Sequence, residues 1–527
     1  MNLHGCQIIA GRAVAAGPET FQGRNPVTGE ATTPPVHEAT TAEVDAALVA
    51  ADAAFDEYRR MGGEGIASFL EAIADEWMAL GDALLEQARA ETALPAARLA
   101  GERARMVTQA RMFAALAREG SWVDARIDHA DPRRQPAPKP DVRRMLQPVG
   151  PVAVFGASNF PLAISVGGGD TVSALAVGCP VVAKGHPGHP GTSEMLGRAI
   201  VSAAARSGVP AGVFGLVHGR RHEVGLALVR HPLTRVVAFT GSRAGGRALF
   251  DAAASRPDPI PVCAEMGSTN PVFVLPGAMT ERGAAIAEGY VQSVTLGTGQ
   301  FCTNPGVLLA VEGPSLADFL DRVASAASAV APSAMLNEAT CRAFHGGLDR
   351  VRRTAGVRVL GESRAAADPG RSQAGCAIFT AALATIEARP ELWDEVFGPL
   401  SIVITCPETA DLARVAARLE GHLTASVHAT EPELESHRGL VAALERRVGR
   451  IVFNGYPTGI EVCAAMHHGG PWPATTDSRY TSIGTAAIER FVRPVCYQDF
   501  PPSALPAELQ DGNPLGTWRL VDGVRRQ

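Results

Sequence analysis

Between residues 151 and 254 the chain alternates short apolar runs with helix-length stretches, and no other feature constrains the fold as much. The runs occupy residues 152–155, 180–183, 213–217 and 236–239. Stretches of helical character follow them at 171–177, 193–205, 223–229 and 244–253. The runs are apolar at nearly every position, as strands covered by helices on both faces must be. Strands separated by helices pair in parallel, through right-handed crossovers. The expected class is therefore α/β, built on a parallel sheet. Ligands in such sheets bind beyond the carboxyl ends of the strands. Each loop that follows a run is thus a candidate site.

Upstream, Thr40 and Glu43 stand at capping-box spacing. Val44, Leu48, Ala51, Phe55 and Tyr58 recur behind them at helical intervals, so a helix should begin near residue 40. Residues 65–119, rich in Ala, Leu, Glu and Arg, read as several amphipathic helices. Pro132, Pro136, Pro138 and Pro140 exclude a core helix and leave a linker or an exposed edge ribbon. A second α/β unit is expected from about Cys263 to Val448. The tail beyond residue 500 reads as polar surface.

A chain of 527 residues has room for two to four domains. With 46% hydrophobic and 19% charged residues it can bury a large core, and wholesale disorder is disfavoured. A net charge of -6 argues against a nucleic-acid binder. No apolar run approaches the roughly 20 residues that span a bilayer. The first residues lack the basic and apolar segments of a secretory signal. Nine scattered cysteines without a CxxC pair disfavour a disulfide framework and a structural zinc site. The expectation is a cytoplasmic protein with reduced thiols and no metal.

The loops behind the runs carry chemistry. The turn Phe239-Thr240-Gly241-Ser242-Arg243-Ala244-Gly245-Gly246 ends a run and opens a helix. Its glycines would let backbone approach a pyrophosphate, and a helix N-terminus offers free N–H groups. An ordinary strand–helix turn looks the same. No GxGxxG follows a strand and no GxxxxGK[ST] occurs. In Gly297-Thr298-Gly299-Gln300-Phe301-Cys302-Thr303-Asn304, glycine turns and polar residues flank a cysteine. A nucleophilic thiol needs exposure and surroundings that favour thiolate; a packing cysteine fits these residues equally well. Glu265, after Val262-Cys263-Ala264, is a general base or a helix-cap acid. A carboxylate in that apolar setting should have a raised pKa. Asn159 can offer its amide to an oxyanion or form a turn. Lys184 can reach ribose hydroxyls or a phosphate. Glu395-Val396-Phe397-Gly398-Pro399 reads alone as a plain loop.

Taken in order, Asn159, Lys184, the turn at 241–246, Glu265, Cys302 and Glu395 resemble the aldehyde dehydrogenase superfamily. Asn25-Pro26-Val27-Thr28-Gly29-Glu30 resembles its NPxTGE start, and Gly449–Asn454 its later G-x-[IV]-x-[IVF]-N strand. The likeness covers roughly residues 20–495. GASNFPLAISVGGGDT, AKGHPGHPGTSE, GTGQFCTNPG and GGPWPATTDSRYTSIGT resemble α-ketoglutaric semialdehyde (2,5-dioxopentanoate) dehydrogenases within it. The sequence departs from the commoner pattern in three places. Ala157-Ser158-Asn159 replaces Pro-Trp-Asn, and Glu265-Met266-Gly267-Ser268 replaces ELGG. Lys184-Gly185-His186-Pro187 replaces Lys-Pro-x-Glu, so the ribose-gripping carboxylate is missing at Pro187.

The resemblance implies that Cys302 attacks an aldehyde and Glu265 activates the water that releases the acid. Asn159 would stabilise the oxyanion. It implies a nicotinamide coenzyme, NADP with NAD possible, held by Lys184, Gly241, Ser242, Gly246, Glu395 and Phe397. Phe160, Ile164, His467 and His468 would line the aldehyde pocket. Arg220 and Arg221 are candidates for a 2'-phosphate or are plain loop arginines. The implied architecture is aldehyde-dehydrogenase-like: a Rossmann-type cofactor-binding domain (1–127 and 151–262), an α/β catalytic domain (263–480) and a small β oligomerisation arm (128–150 and 484–500). A homodimer or homotetramer would follow, with no nucleic-acid or membrane partner. The alternatives are another aldehyde as substrate, a non-catalytic relative, and a thiol hydrolase pairing Cys302 with His467 or His468.

Overall fold

The computed structural model describes residues 2–527. Its first large sheet has the strand order Val262–Glu265, Val236–Thr240, Val152–Phe155, Val181–Lys184, Phe214–Val217, Gln7–Ile9 and Arg12–Val14. The first five of these strands run parallel and the last two add an antiparallel edge. Numbered along the chain, the parallel strands lie in the order 5-4-1-2-3, so the winding reverses between Val152–Phe155 and Val236–Thr240. A crevice opens at such a reversal, beyond the carboxyl ends of the strands. The loops that carry Asn159 and Gly241 both begin there. Helices Gly169–Ala176, Pro190–Arg206, His222–Arg230 and Arg243–Ala254 provide the crossovers.

The second sheet runs Arg358–Glu362, Ala377–Ala382, Leu400–Cys406, Val307–Val311, Val272–Val274, His422–His428 and Val448–Phe453. All its pairs are parallel except the outermost, Arg358–Glu362 on Ala377–Ala382. The expected division between residues 262 and 263 would cut the strand Val262–Glu265. That strand completes the first sheet and delivers Glu265 at its end.

A third sheet joins Val492–Gln498, Val142–Pro148, Arg126–Asp128, Arg519–Val521 and Val524–Arg526. The segment 519–526 comes from the tail expected to be mere surface. Asp522 and Gly523 both take positive φ, +49° and +77°, and close a two-residue hairpin there. No helix among the described residues is long and apolar enough to cross a membrane.

The N-terminal helices follow their sequence logic. Thr40 accepts from the Glu43 N–H at 3.2 Å, and Glu43 accepts from the Thr40 N–H at 2.8 Å. This capping box opens helix Thr41–Tyr58 and contributes about 1 kcal/mol. Helix Ala96–Glu119 is tied to the crevice by Glu102, whose Oε1 accepts from the Leu162 and Ala163 N–H groups at 2.8 and 2.9 Å. Its first turns therefore lie beside the loop behind Val152–Phe155.

Candidate active site

Cys302 sits just beyond a strained turn. Gly297, Thr298 and Gly299 all have left-handed backbone, with φ of +56°, +58° and +66°. Thr298 is β-branched, and this conformation is costly for it. Its hydroxyl donates to the Ala334 carbonyl at 3.1 Å. A Cβ on Gly299 would fall 2.2 Å from the Gly398 carbonyl carbon, so only glycine fits there. Below the turn, the Asn270 Nδ2 donates to the carbonyls of Cys302 and Asn304, each at 2.9 Å. Asn270 is thus a clamp on the nucleophile loop. Residue-by-residue reading missed it because Ser268-Thr269-Asn270-Pro271 looks like any turn.

Glu265 ends its strand pointing toward this loop. Its Oε1 lies 2.9 Å from the Nε2 of His468, and its Oε2 accepts from the Ser482 hydroxyl at 2.6 Å. The same His468 Nε2 lies 3.5 Å from the Cys302 Sγ. Sulfur, carboxylate oxygen and ring nitrogen are all within 4.8 Å of one another. The segment carrying His468 and Ser482 is laced back onto the Glu265 strand. Met266 N–H donates to the Ala474 carbonyl at 2.8 Å, and Thr476 N–H to the Ala264 carbonyl at 3.1 Å.

The electrostatics correct one expectation. Burial alone would raise the Glu265 pKa, but His468, together with hydrogen bonds from Ser482 and Cys302, holds it below its ordinary value. Apolar surroundings are not decisive once three polar neighbours converge on the carboxylate. Burial pushes the Cys302 thiol well above its ordinary value, Glu265 adds to this, and Arg105 opposes it. The resting thiol is therefore protonated beside an ionised carboxylate.

Asn159 is buried next to the loop, and its Nδ2 donates to the Gln300 carbonyl at 3.0 Å. A carboxamide nitrogen has two N–H groups, so one remains. Phe160 meets Phe301 edge to face at 5.5 Å between ring centroids. Arg98 lies over both rings, at 4.8 and 4.5 Å, and Arg105 lies 5.6 Å from the Phe160 centroid. Both guanidinium charges act on the Cys302 thiol. Among the described residues neither has an acidic salt-bridge partner, and Arg98 Nη1, Arg105 Nε and Arg105 Nη2 are buried without an acceptor. Sequence reading missed both arginines, since helix Ala96–Glu119 carries several and nothing marks these two. Ile164 is half-buried in the loop behind Phe160, where its carbonyl accepts from the Ala157 N–H at 2.8 Å. His467 packs against Gly449 and Gly469, one residue away from the contact that His468 makes.

The remaining candidates are those expected to hold the coenzyme. Ser242 caps helix Arg243–Ala254, accepting from the Gly245 N–H at 3.2 Å. A Cβ on Gly246 would meet the Met266 side chain at 2.5 Å, and one on Gly241 the Phe239 ring at 2.6 Å. The Glu395 carboxyl lies against Gly267, and burial raises its pKa to about 7. Glu395 and Phe397 share a cleft with Ser268, Gly299 and Asn304. Lys184, its pKa lowered to about 8 by burial, donates to the Gly219 carbonyl at 2.6 Å. Beside it, both ring nitrogens of His218 are buried without a partner. Arg221 is not free for a phosphate: it pairs with Glu19 and, at 3.4 Å, with Glu38.

A doubly wound sheet with a nucleotide crevice, facing a cysteine loop and a carboxylate, defines a dinucleotide-dependent enzyme of covalent type. The model of the aldehyde dehydrogenase family matches residues 13–472, and the chain belongs to that family. It is 50% identical to α-ketoglutaric semialdehyde dehydrogenase 2 of Azospirillum brasilense, over 99% of both chains. It is 45% identical to the α-ketoglutaric semialdehyde dehydrogenase of Acinetobacter baylyi, again over 99% of both. The solved γ-glutamyl-γ-aminobutyraldehyde dehydrogenase of Burkholderia cenocepacia superposes with a TM-score of 0.80. It covers 94% of this chain and 97% of that one at 23% identity, a likeness of fold. The protein is accordingly an NAD(P)-dependent oxidoreductase acting on an aldehyde.

Proposed function

We propose that the chain oxidises α-ketoglutaric semialdehyde (2,5-dioxopentanoate) to 2-oxoglutarate. The observation that carries this reading is the pair Arg98 and Arg105, two guanidinium groups beside the nucleophile loop whose charge Glu102 meets only at a distance and whose buried donors lack an acceptor. An aldehyde with a carboxylate at its far end would satisfy them. The two relatives bearing that substrate's name support the same choice.

In this reading Cys302 attacks the aldehyde carbon and the acyl group is held as a thioester. The free N–H of Asn159 and the Cys302 backbone N–H stabilise the oxyanion; such a donor is worth about 3–4 kcal/mol of barrier. The bound dinucleotide supplies the hydride acceptor. Lys184 and the unpartnered His218 fit its adenosine end. The glycines at 241 and 246, with the Ser242-capped helix, fit its pyrophosphate, and Glu395 and Phe397 fit its nicotinamide ribose. Glu265, ionised at neutral pH, takes the proton from the hydrolytic water.

A thiol hydrolase would orient its histidine by an acid on the second ring nitrogen. Here His468 faces both Cys302 and Glu265 through Nε2 alone, and its Nδ1 is buried without a partner.

A panel of aldehydes, each run with both coenzymes and read at 340 nm, tests the substrate. Arg105→Met should raise KM for the dicarboxylic semialdehyde between about 10- and 100-fold, the loss of one hydrogen bond to a charged group. It should leave kcat/KM for hexanal within about twofold. Equal losses on both aldehydes would refute the carboxylate role.

For the coenzyme, a carboxylate beside the adenine ribose would repel a 2'-phosphate. Pro187 removes it, and Glu38 nearby is engaged by the Arg220 and Arg221 N–H groups and the Arg221 guanidinium. NADP should therefore be used well, and better than NAD. Pro187→Glu should lower kcat/KM for NADP more than for NAD. A wild type preferring NAD by about tenfold, or 1.4 kcal/mol, would refute this. The same reading includes the domain division, with its boundary moved beyond the strand Val262–Glu265, homo-oligomerisation through the third sheet, and a cytoplasmic location in keeping with nine unpaired cysteines.

A further inference from the structure

His468 was expected to line the aldehyde pocket or, in the hydrolase alternative, to pair with Cys302; among the described residues it is the one side chain that touches both the nucleophile and the base. Its Nε2 has two neighbours, Cys302 Sγ at 3.5 Å and Glu265 Oε1 at 2.9 Å. An ionised carboxylate only accepts hydrogen bonds, so Nε2 must carry the ring proton. Nδ1 is buried without a partner, so the ring meets the nucleophile and the base through Nε2 alone. The His468 backbone is fixed by its N–H, which donates to the Thr481 hydroxyl at 2.8 Å. Ser482 steadies the opposite oxygen of Glu265. The ring therefore has one N–H and two acceptors that compete for it.

We propose that His468 stabilises the Cys302 thiolate by transferring its single Nε2–H hydrogen bond from Glu265 to Sγ as Glu265 takes the thiol proton. The S–H bond breaks and its proton goes to a Glu265 oxygen. The sulfur electron pair is then held by the His468 N–H until it forms the bond to the aldehyde carbon. Glu265 releases that proton to solvent before it serves the hydrolytic water. When the thioester is hydrolysed the sulfur departs as thiolate and returns to the same N–H. No proton is gained or lost by His468 over the cycle, so it is a positioning group for charge rather than a second base. The other charged or titratable groups around the trio are Arg98 and Arg105 on their helix, Glu395, Arg450 and the adjacent His467.

The proposal rests on Cys302 being the reactive thiol. The test is the pH dependence of alkylation of the full-length protein by iodoacetamide, with the modified residue located by peptide mass mapping. Wild type should alkylate at Cys302. His468→Phe, which removes the donor and keeps a ring, should alkylate at least about tenfold more slowly at pH 7, with its profile moved up by at least about one pH unit. His468→Gln, which keeps an N–H, should recover most of that rate. Coenzyme binding by both variants checks that they fold. Alkylation at Cys302 with the same profile in all three proteins, or in wild type and a folded His468→Phe, overturns the role of His468. Modification mapped to another cysteine overturns the Cys302 reading itself.

Discussion

Cys302→Ala should abolish aldehyde oxidation and leave coenzyme binding intact. Removal of a covalent nucleophile costs on the order of 10⁴-fold or more, which places the variant below detection at 340 nm. Coenzyme titration by fluorescence should meanwhile match wild type, because the dinucleotide crevice belongs to the first sheet. Cys179, Cys263, Cys341, Cys376 and Cys406 are buried in the core. Cys263 is nearest along the chain to Glu265, but burial pushes its thiol up to about 12. Retained turnover in Cys302→Ala would remove the thioester route altogether.

Glu265→Gln should separate acylation from hydrolysis. Acylation can still occur once, so mixing enzyme, aldehyde and coenzyme should release close to one NAD(P)H per active site. Hydrolysis then lacks its base, and the steady-state rate should fall by about 10²–10⁴-fold. The burst should also be slower than in wild type, since a neutral carboxamide cannot take the thiol proton. Its amplitude is the decisive quantity. An undiminished steady-state rate would show that another group activates water. Because His468, Ser482 and Cys302 hold the Glu265 pKa below its ordinary value, its ionisation should not limit activity at mildly acidic pH.

Much of this was legible in the sequence. The alternation after Pro151 marks every strand and crossover helix of the first parallel sheet up to residue 254, within a few residues. Those segments are buried on both faces, so their signal is dense and local. Thr40 and Glu43 announce their helix because a capping box is a contact within four residues. The Asp522-Gly523 hairpin also has a local signal, but strands of three residues are too short to show alternation. What the sequence hides is contact at a distance. His468 and Glu265 are 203 positions apart along the chain, and nothing in Met466-His467-His468-Gly469 says which imidazole reaches the carboxylate. Arg98 and Arg105 look like solvated helix charges until the loop of Phe160 is folded against them. The pKa of Glu265 depends on three such neighbours, and for that reason its expected direction was reversed.

The lacing of residues 474–476 onto the strand of Glu265 has a consequence for how the protein is made. A nascent chain emerging from the ribosome can form the first sheet and display Cys302 long before residue 468 exists. Until then the thiol has neither its histidine nor a carboxylate held in place by Ser482. A growing chain, or one truncated before residue 468, should therefore carry a slower thiol, with the same delayed alkylation expected of His468→Phe. Its full reactivity requires the final segment to clasp the edge of the sheet.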